Sequence, residues 1–171
     1  MGHRTIEQGA VRIEAPDGWV DASQLIALGP DGGGYRPSLV VSTQPGLSEE
    51  IDAQAFAESL SGTLRAILKG YAVVSEDEAT FGPWTGQLRE HIFSQGNLQL
   101  RQLQFHLVRE STGYVFSFTH RADDADAGKV AASLFERIQF GPPSARALPS
   151  EEEGAGEPDL APFRARPSIG G

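Results

Sequence analysis

Three alternating segments in the middle of the chain constrain the fold more than any other feature. Gln87–Ser94, Leu98–Val108 and Tyr114–His120 place apolar and polar residues by turns, which is the pattern of strands that bury one face. The turns predicted between them are Gln95-Gly96-Asn97 and Arg109–Gly113. Consecutive strands joined by short turns pair antiparallel. The centre of the chain therefore predicts a β-meander.

A two-residue turn at Gly96-Asn97 fixes how the first two of these strands pair. It predicts that Phe93 lies opposite Leu100, and it sets the register of the whole hairpin. One side of the sheet, which we call the mixed face, then carries Gln87, Arg89, His91, Phe93, Leu98, Leu100, Gln102, Gln104 and His106. The other side, which we call the apolar face, carries Leu88, Ile92, Leu103, Phe105 and Leu107, and it is predicted to receive the helices.

The third strand is predicted to add aromatic residues to the mixed face. Continued across a five-residue loop at Arg109–Gly113, the pattern places four more side chains there, namely Tyr114, Phe116, Phe118 and His120. A slip of one residue would move them to the apolar face. A face this apolar is rarely left to solvent. Two interpretations follow: the second helix or the N-terminal strands cover it, or it is a groove for an apolar segment whose backbone bonds to Gln102 and Gln104.

The remaining segments complete an α+β fold, an antiparallel sheet flanked by helices. Residues 52–69 predict a helix with Asp52 as N-cap and Gly70 as its stop. A second helix is predicted from Gly128 to Arg137. Their apolar stripes are Phe56, Leu60, Leu64 and Ile67 in the first, and Val130, Leu134 and Ile138 in the second. Further strands are predicted at Val11–Glu14, Gln24–Leu28, Ser38–Thr43 and Tyr71–Val74.

The composition changes at Gly141-Pro142-Pro143. Residues 141–171 hold 6 prolines and 5 glycines, so we expect a folded domain over residues 1–140 and a disordered tail over 141–171. The chain has 23 acidic and 14 basic residues and a net charge of -9, which opposes binding to nucleic acid. It contains no cysteine. We find neither an apolar leader at Met1–Glu7 nor a run of about 18 apolar residues, and we therefore expect a cytoplasmic protein with no membrane anchor.

The residues with catalytic potential do not form a recognisable site. His91 and His120 are predicted to lie roughly 9–10 Å apart, too far to share a metal, and a surface or interface role is expected for the histidines. The acidic runs Glu76-Asp77-Glu78 and Asp123-Asp124-Ala125-Asp126 lack the glycine and glutamate of a calcium hand and are predicted to be solvated loops. We expect no enzyme activity, no metal and no cofactor; a small hydrolase is a third hypothesis, suggested by the neighbouring histidines.

Four segments resemble the DcrB-like family of small bacterial proteins. The similarity spans about residues 8–140 and is strongest in a Pro-Asp-Gly-Trp-x-Asp-x-Ser motif. The segments are Val11-Arg12-Ile13-Glu14-Ala15-Pro16-Asp17-Gly18-Trp19-Val20-Asp21-Ala22-Ser23, the helix with Phe56, Leu60 and Leu64, the strand Arg101-Gln102-Leu103-Gln104-Phe105, and the end Phe135-Glu136-Arg137-Ile138. The resemblance implies a Mog1/PsbP-like fold. Departures are Leu25, where many relatives have Asn, the insertion Gly32-Gly33-Gly34 and the long tail.

Within that family the chain most resembles the Eag chaperones of type VI secretion. The resemblance implies a cytosolic homodimer that binds the apolar N-terminal transmembrane segments of a PAAR-containing effector, keeps it soluble and helps to load it on the spike. By position, the effector-binding residues would be Ile26, Leu28, Leu98, Leu100, Gln102 and Gln104. The alternative is a non-catalytic structural or adaptor domain of the same family that binds another protein through its helix side.

Overall fold

The computed structural model describes residues 3–8, 11–16, 24–31 and 34–141. The helices and strands described below all belong to one compact unit, which ends at Ile138. The predicted disordered tail lies outside the described residues apart from Gly141, so it stays a prediction. The elements are β1 (His3–Gln8), β2 (Val11–Pro16), β3 (Leu25–Leu28), β4 (Ser38–Pro45), α1 (Ala53–Ile67), β5 (Ala72–Phe81), β6 (Trp84–Gln95), β7 (Leu98–Arg109), β8 (Thr112–Arg121) and α2 (Ala127–Phe135).

Six of the strands form one antiparallel sheet. Their order is β3-β4-β8-β7-β6-β5, while β1 and β2 pair with each other in a separate two-stranded sheet. The predicted meander is β6-β7-β8 at the centre of the large sheet. The α+β class predicted from the sequence is therefore confirmed.

The first hairpin of the meander has the predicted register. Phe93 lies opposite Leu100, and Gln95 lies opposite Leu98 across the Gly96-Asn97 turn. Gly96 has a φ of 61°, a backbone conformation that glycine adopts without steric cost. Local turn chemistry therefore fixed this pairing.

The second hairpin differs from the prediction, because its turn has two residues rather than five. Arg109 pairs with Thr112, and the turn residues Glu110 and Ser111 have φ values of 49° and 57°, as a tight hairpin turn requires. Glutamate and serine are not the usual residues at such positions, so this turn could not be recognised from the residue types. The assignment of β8 is consequently reversed: the four side chains predicted on the mixed face lie on the apolar face, namely Tyr114, Phe116, Phe118 and His120.

Helix α1 begins after the predicted cap Asp52, ends at Ile67, two residues before the predicted end, and packs on the mixed face. The Asp52 side chain accepts a hydrogen bond from the Ala55 N–H at 2.8 Å, and Gly70, with a φ of 68°, follows the last turn. The Phe56 ring meets the His106 ring edge-on, with centroids 6.1 Å apart. A side chain at Gly113 would overlap the Phe56 ring, so α1 lies close against β7 and β8. The first helix therefore covers part of the mixed face, which was predicted for the second helix or the N-terminal strands.

Helix α2 packs on the apolar face, with a different side inward from the one predicted. Its buried residues are Ala127, Ala131 and Phe135, and the Phe135 ring lies 5.7 Å from that of Phe105. Two residues of the predicted stripe are exposed instead, Val130 at 50% and Leu134 at 37%, while Ile138 is half-buried and lies beyond the helix. The spacing of Ala127, Ala131 and Phe135 at i, i+4 and i+8 could have signalled the inward side, but alanines are weak markers of burial.

Strand β5 is longer than predicted and includes the acidic run. Glu76-Asp77-Glu78 lies inside β5 and pairs with β6, so the prediction of a solvated loop is wrong for this segment. A bulge interrupts the pairing between Val73 and Ser75. Adjacent acidic residues obscured the strand, because charged side chains are rare in strands except at a sheet edge, which is where β5 lies.

Candidate functional site

The register aligns side chains of all six strands in rows across the mixed face. Each row runs from the β3 edge to the β5 edge, with an aliphatic residue at the β3 edge and polar residues in the middle. The first row is Ile26, Val40, Ser117, Gln104, Arg89 and Glu76, and the second is Leu28, Ser38, Thr119, Gln102, His91 and Val73. All six residues predicted to bind an effector therefore share one face of the sheet.

The six residues differ in how accessible they are. Ile26 and Leu28 are 61% and 62% exposed, a large fraction for aliphatic side chains. Leu98 and Gln102 are half-buried, whereas Leu100 and Gln104 are buried. In this conformation the β3 end of the rows is open to solvent, whereas Leu100 and Gln104 are not. The binding roles themselves stay predictions.

The two glutamines form hydrogen bonds within the sheet. Gln102 donates through Nε2 to Thr119 Oγ1 at 2.6 Å, and Gln104 donates through Nε2 to Ser117 Oγ at 3.3 Å. These bonds link β7 to β8 and fix the orientation of both amides. The Oε1 atom of Gln104 is buried without a hydrogen-bond partner in the protein. In this conformation the two glutamines therefore stabilise the pairing of β7 with β8.

Arg89 and Glu76 form an ion pair at the β5 end of the first row. Arg89 is fully buried, and it donates from Nε and Nη2 to the Glu76 carboxylate at 3.1 and 2.8 Å. Its Nη2 also donates to the Ala57 carbonyl of α1 at 2.9 Å. The hydrogen bond from Arg89 lowers the pKa of Glu76. One side chain thus joins β6, β5 and α1.

The histidines are core residues, contrary to the predicted surface or interface role. His91 and His106 lie on the mixed face and are fully buried, while His120 is buried on the apolar face. Burial lowers the pKa of both His91 and His106 to about 4, and the positive charge of Arg89 adds to this effect. Both rings are therefore neutral near pH 7.

The neutral state of His106 fits its hydrogen bonding. Its Nδ1 lies 3.1 Å from the Gln87 carbonyl oxygen, an atom that only accepts, so Nδ1 carries the ring proton. Among the described residues, no three His, Asp or Glu side chains are grouped to hold a metal ion.

Strand β3 is a free edge of the sheet among the strands described here. The Gly29 N–H donates to the Pro37 carbonyl at 2.7 Å, next to the Leu28 and Ser38 pair. Hydrogen-bonded and non-hydrogen-bonded pairs alternate along antiparallel strands. Leu25 and Ala27 therefore direct their backbone groups towards β4, whereas Ile26 and Leu28 direct theirs away from the sheet.

An apolar cleft lies beside the same edge, on the apolar face. It has a volume of about 330 Å³. Its lining includes Leu39 and Phe118 of the sheet, Ala27 and Leu28 of β3, and the exposed Val130 and Leu134 of α2. The edge around β3 is therefore apolar on both faces of the sheet.

None of the helices in the described ranges is both long and apolar enough to cross a membrane.

The comparison with known families decides to which family the chain belongs. The sequence profile of the DcrB family matches residues 11–133. The chain belongs to the DcrB family. The resemblance read from the sequence is confirmed at this level, whereas the Eag subgroup and the Mog1/PsbP-like likeness stay predictions.

The comparison with solved structures returns two proteins, of which the first supports the fold of this DcrB-family protein. PA94 from Pseudomonas aeruginosa, a protein of unknown function, matches with a TM-score of 0.63 and 18% identity, over 82% of this chain and 98% of that one. LpqN of Mycobacterium tuberculosis, involved in cell envelope biogenesis, gives a TM-score of 0.44 at 14% identity, over 80% of this chain and 88% of that one. No curated protein matches in sequence. The PA94 likeness at this identity supports the fold alone.

Proposed function

We propose that this DcrB-family protein is a cytosolic chaperone or adaptor that binds an apolar segment of another protein on the β3 end of the mixed face. In its specific form, the client is the N-terminal transmembrane region of a PAAR-containing type VI effector, which the protein keeps soluble and helps to load on the spike. The observation that carries the proposal is the exposure of Ile26 and Leu28, 61% and 62%, on the same face as Gln102.

The surface around these two residues suits an apolar client. Fully burying an aliphatic side chain contributes about 1.5–3 kcal/mol, and each of the two has most of its surface still to bury. Beside them, the half-buried hydroxyl groups of Ser38, Ser42 and Ser117 on β4 and β8 offer donors and acceptors to polar atoms of the client. A transmembrane segment has apolar side chains on its outside and polar groups in its backbone. An apolar patch bordered by hydroxyl groups is therefore complementary to it.

The acidity of the chain fits the same role. A net charge of -9 opposes self-association of complexes that carry an apolar client. The proposal includes a homodimer and binding without turnover. The described histidines that suggested catalysis, His91, His106 and His120, are buried, so a substrate would not reach them without a conformational change.

Co-expression with the client tests the proposal. The tagged protein is expressed with the apolar N-terminal segment of a PAAR effector from the same genome. The Ile26→Glu variant is expected to lose the segment from the soluble fraction, because a carboxylate would be buried at the contact. The matched control is Ile67→Glu, since Ile67 is 68% exposed on α1 and lies away from β3. Equal recovery with both variants would overturn the proposed site, and Gln102→Ala reports on the polar part of the surface.

A structural or adaptor role through the helix side is the second candidate. It is favoured by the cleft between α2 and β3 and by the exposure of Val130 and Leu134. A partner bound there would be lost in Val130→Glu and retained in Ile26→Glu. The reverse pattern would favour the mixed face.

A further inference from the structure

The outward backbone of β3 has the geometry to pair with a second copy of itself. Ile26 and Leu28 point their N–H and C=O groups away from the sheet, and Ala27 between them points towards β4. We infer that two copies pair antiparallel through β3, about a two-fold axis at Ala27, and that this pairing joins the two six-stranded sheets into one. The inference names the interface of the dimer that the proposed function includes.

The register of this pairing follows from the two-fold symmetry. With Ala27 opposite Ala27 of the second copy, Ile26 lies opposite Leu28, and Leu28 lies opposite Ile26. Both pairs join residues whose backbone groups point outward, so each pair exchanges two hydrogen bonds. The strand is thus complementary to itself, as an interface between identical subunits requires.

The two edges of the sheet differ in the chemistry that governs self-pairing. Gln24–Leu28 contains no charged residue, although the chain carries a net charge of -9. The opposite edge, β5, carries Glu76, Asp77 and Glu78 and a bulge after Val73, both of which are devices that prevent strand addition. Two β5 strands would repel each other, while two β3 strands bring no charge together. The second copy therefore pairs through β3.

Side chains on both faces extend the contact. On the mixed face, Ile26 of one copy lies beside Leu28 of the other, so the apolar ends of the rows meet in one continuous patch between the two α1 helices. On the apolar face, Val130 and Leu134 border the cleft next to β3. The dimer therefore builds the surface on which the proposed client rests from both copies.

A single cysteine tests this register, because the chain contains no cysteine of its own. In the proposed dimer the two Ala27 residues form a non-hydrogen-bonded pair, with Cβ atoms about 4.5–5.5 Å apart, which is close enough for a disulfide after small adjustments. The full-length Ala27→Cys variant is expected to form a covalent dimer under mild oxidation, and to do so at protein concentrations that leave random collisions unproductive.

The matched control is Leu25→Cys. Leu25 lies on the same face of the same strand and is 61% exposed, but the two copies of residue 25 would be four residues apart along the strands, roughly 13 Å. We expect at least tenfold more cross-linked dimer with Ala27→Cys than with Leu25→Cys. Equal yields, or a higher yield with Leu25→Cys, would overturn the register.

A proline at the edge gives an independent measurement. Ile26→Pro removes an outward N–H and leaves the β3–β4 hydrogen bonds intact, a placement that edge strands tolerate. Sedimentation velocity is expected to show a dimer for the wild type and for Ile67→Glu, and a monomer for Ile26→Pro. A dimeric Ile26→Pro variant would overturn the inference.

The cross-link separates this inference from the proposed function, because it is measured without any client. Cross-linking with no client capture would leave the interface standing and refute the proposed function. Client capture without cross-linking would do the opposite.

Discussion

At the scale of single residues, Arg89 contributes to the stability of the fold through an ion pair and a hydrogen bond. It is fully buried, and its described partners come from two elements, the Glu76 carboxylate of β5 and the Ala57 carbonyl of α1. A buried charge is tolerated only when it is paired and hydrogen-bonded. The two members of the ion pair are nonetheless unequal, because the Glu76 side chain is 28% exposed and can be hydrated alone.

This inequality predicts an order of stabilities. Glu76→Ala leaves an unpaired guanidinium in the core and should lower the free energy of unfolding by about 3 kcal/mol. Arg89→Met should cost less, because Glu76 can turn to water and the methionine fills the space. The double variant should be more stable than Glu76→Ala. Urea unfolding at pH 7 measures all three, and a greater loss in Arg89→Met than in Glu76→Ala would contradict the argument.

The buried histidines predict a dependence of stability on pH. The pKa values of His91 and His106 are about 4 in the folded protein and about 6.5 in an unfolded chain. The unfolded state therefore binds more protons below pH 6.5, and stability falls as the pH falls from there to about 4. Between pH 7 and pH 5 each histidine should account for a loss of about 2 kcal/mol.

Glutamine variants check the origin of this loss. In the double variant His91→Gln and His106→Gln, the loss of unfolding free energy between pH 7 and pH 5 should be much smaller than in the wild type. The lowered pKa of Glu76 acts in the same direction but below its ordinary value, near pH 4.5, and so outside this interval. An unchanged pH dependence would mean that other groups cause the loss.

At the scale of elements, the position of α1 depends on a glycine in β8. The Phe56 ring occupies the space where Gly113 has no side chain, so the ring rests directly on the strand backbone. Gly113→Ala should push the helix away and lower the free energy of unfolding by about 2 kcal/mol. The control Gly62→Ala has open space around it and lies inside α1, where alanine should raise stability by about 0.5 kcal/mol. Thermal unfolding measures the stability of both variants. A shift of the two melting temperatures in the same direction would contradict this account.

The elements also differ in how well the sequence predicted them. Helix α1 and the β6–β7 hairpin depend on nearby groups, the Asp52 cap and the Gly96-Asn97 turn, and both were predicted correctly. The β7–β8 turn was not, because Glu110 and Ser111 adopt their positive φ values without the residue types that favour them. Helix α2 was placed correctly along the chain but with the wrong side inward, since burial of Ala127 and Ala131 depends on the strands that they meet.

At the scale of the whole molecule, the two edges of the large sheet differ in charge, since β5 carries three adjacent acidic residues and β3 carries no charged residue. The acidic residues of β5 are assigned the role of preventing strand addition, which predicts the effect of removing them. The double variant Asp77→Thr and Glu78→Thr keeps the Glu76–Arg89 pair. It should allow another strand to pair with the β5 edge. Light scattering over a range of concentrations should then show larger assemblies than the wild type forms, because each copy would have two edges able to pair. An assembly state identical to that of the wild type would refute the protective role.

The site was predictable in part at this scale. The register of β6 and β7, read from the sequence, placed Leu98, Leu100, Gln102 and Gln104 on one face, and the structure confirms that arrangement and adds Ile26 and Leu28 to the same face. The sequence did not reveal that Leu100 and Gln104 are buried. Burial depends on which element packs over each face, and side chains distant in the chain decide it.

The sequence alone determined the features that arise between neighbours in the chain. These are the antiparallel meander, the first hairpin register, the N-terminus of α1 and membership of the DcrB family. The tertiary structure alone decided that each helix covers one face, that His91, His106 and His120 are buried, and that β3 is an edge of the sheet among the described strands. The physical reason is that turns and caps are local hydrogen-bonding choices, whereas burial and edge exposure depend on contacts between segments far apart in sequence.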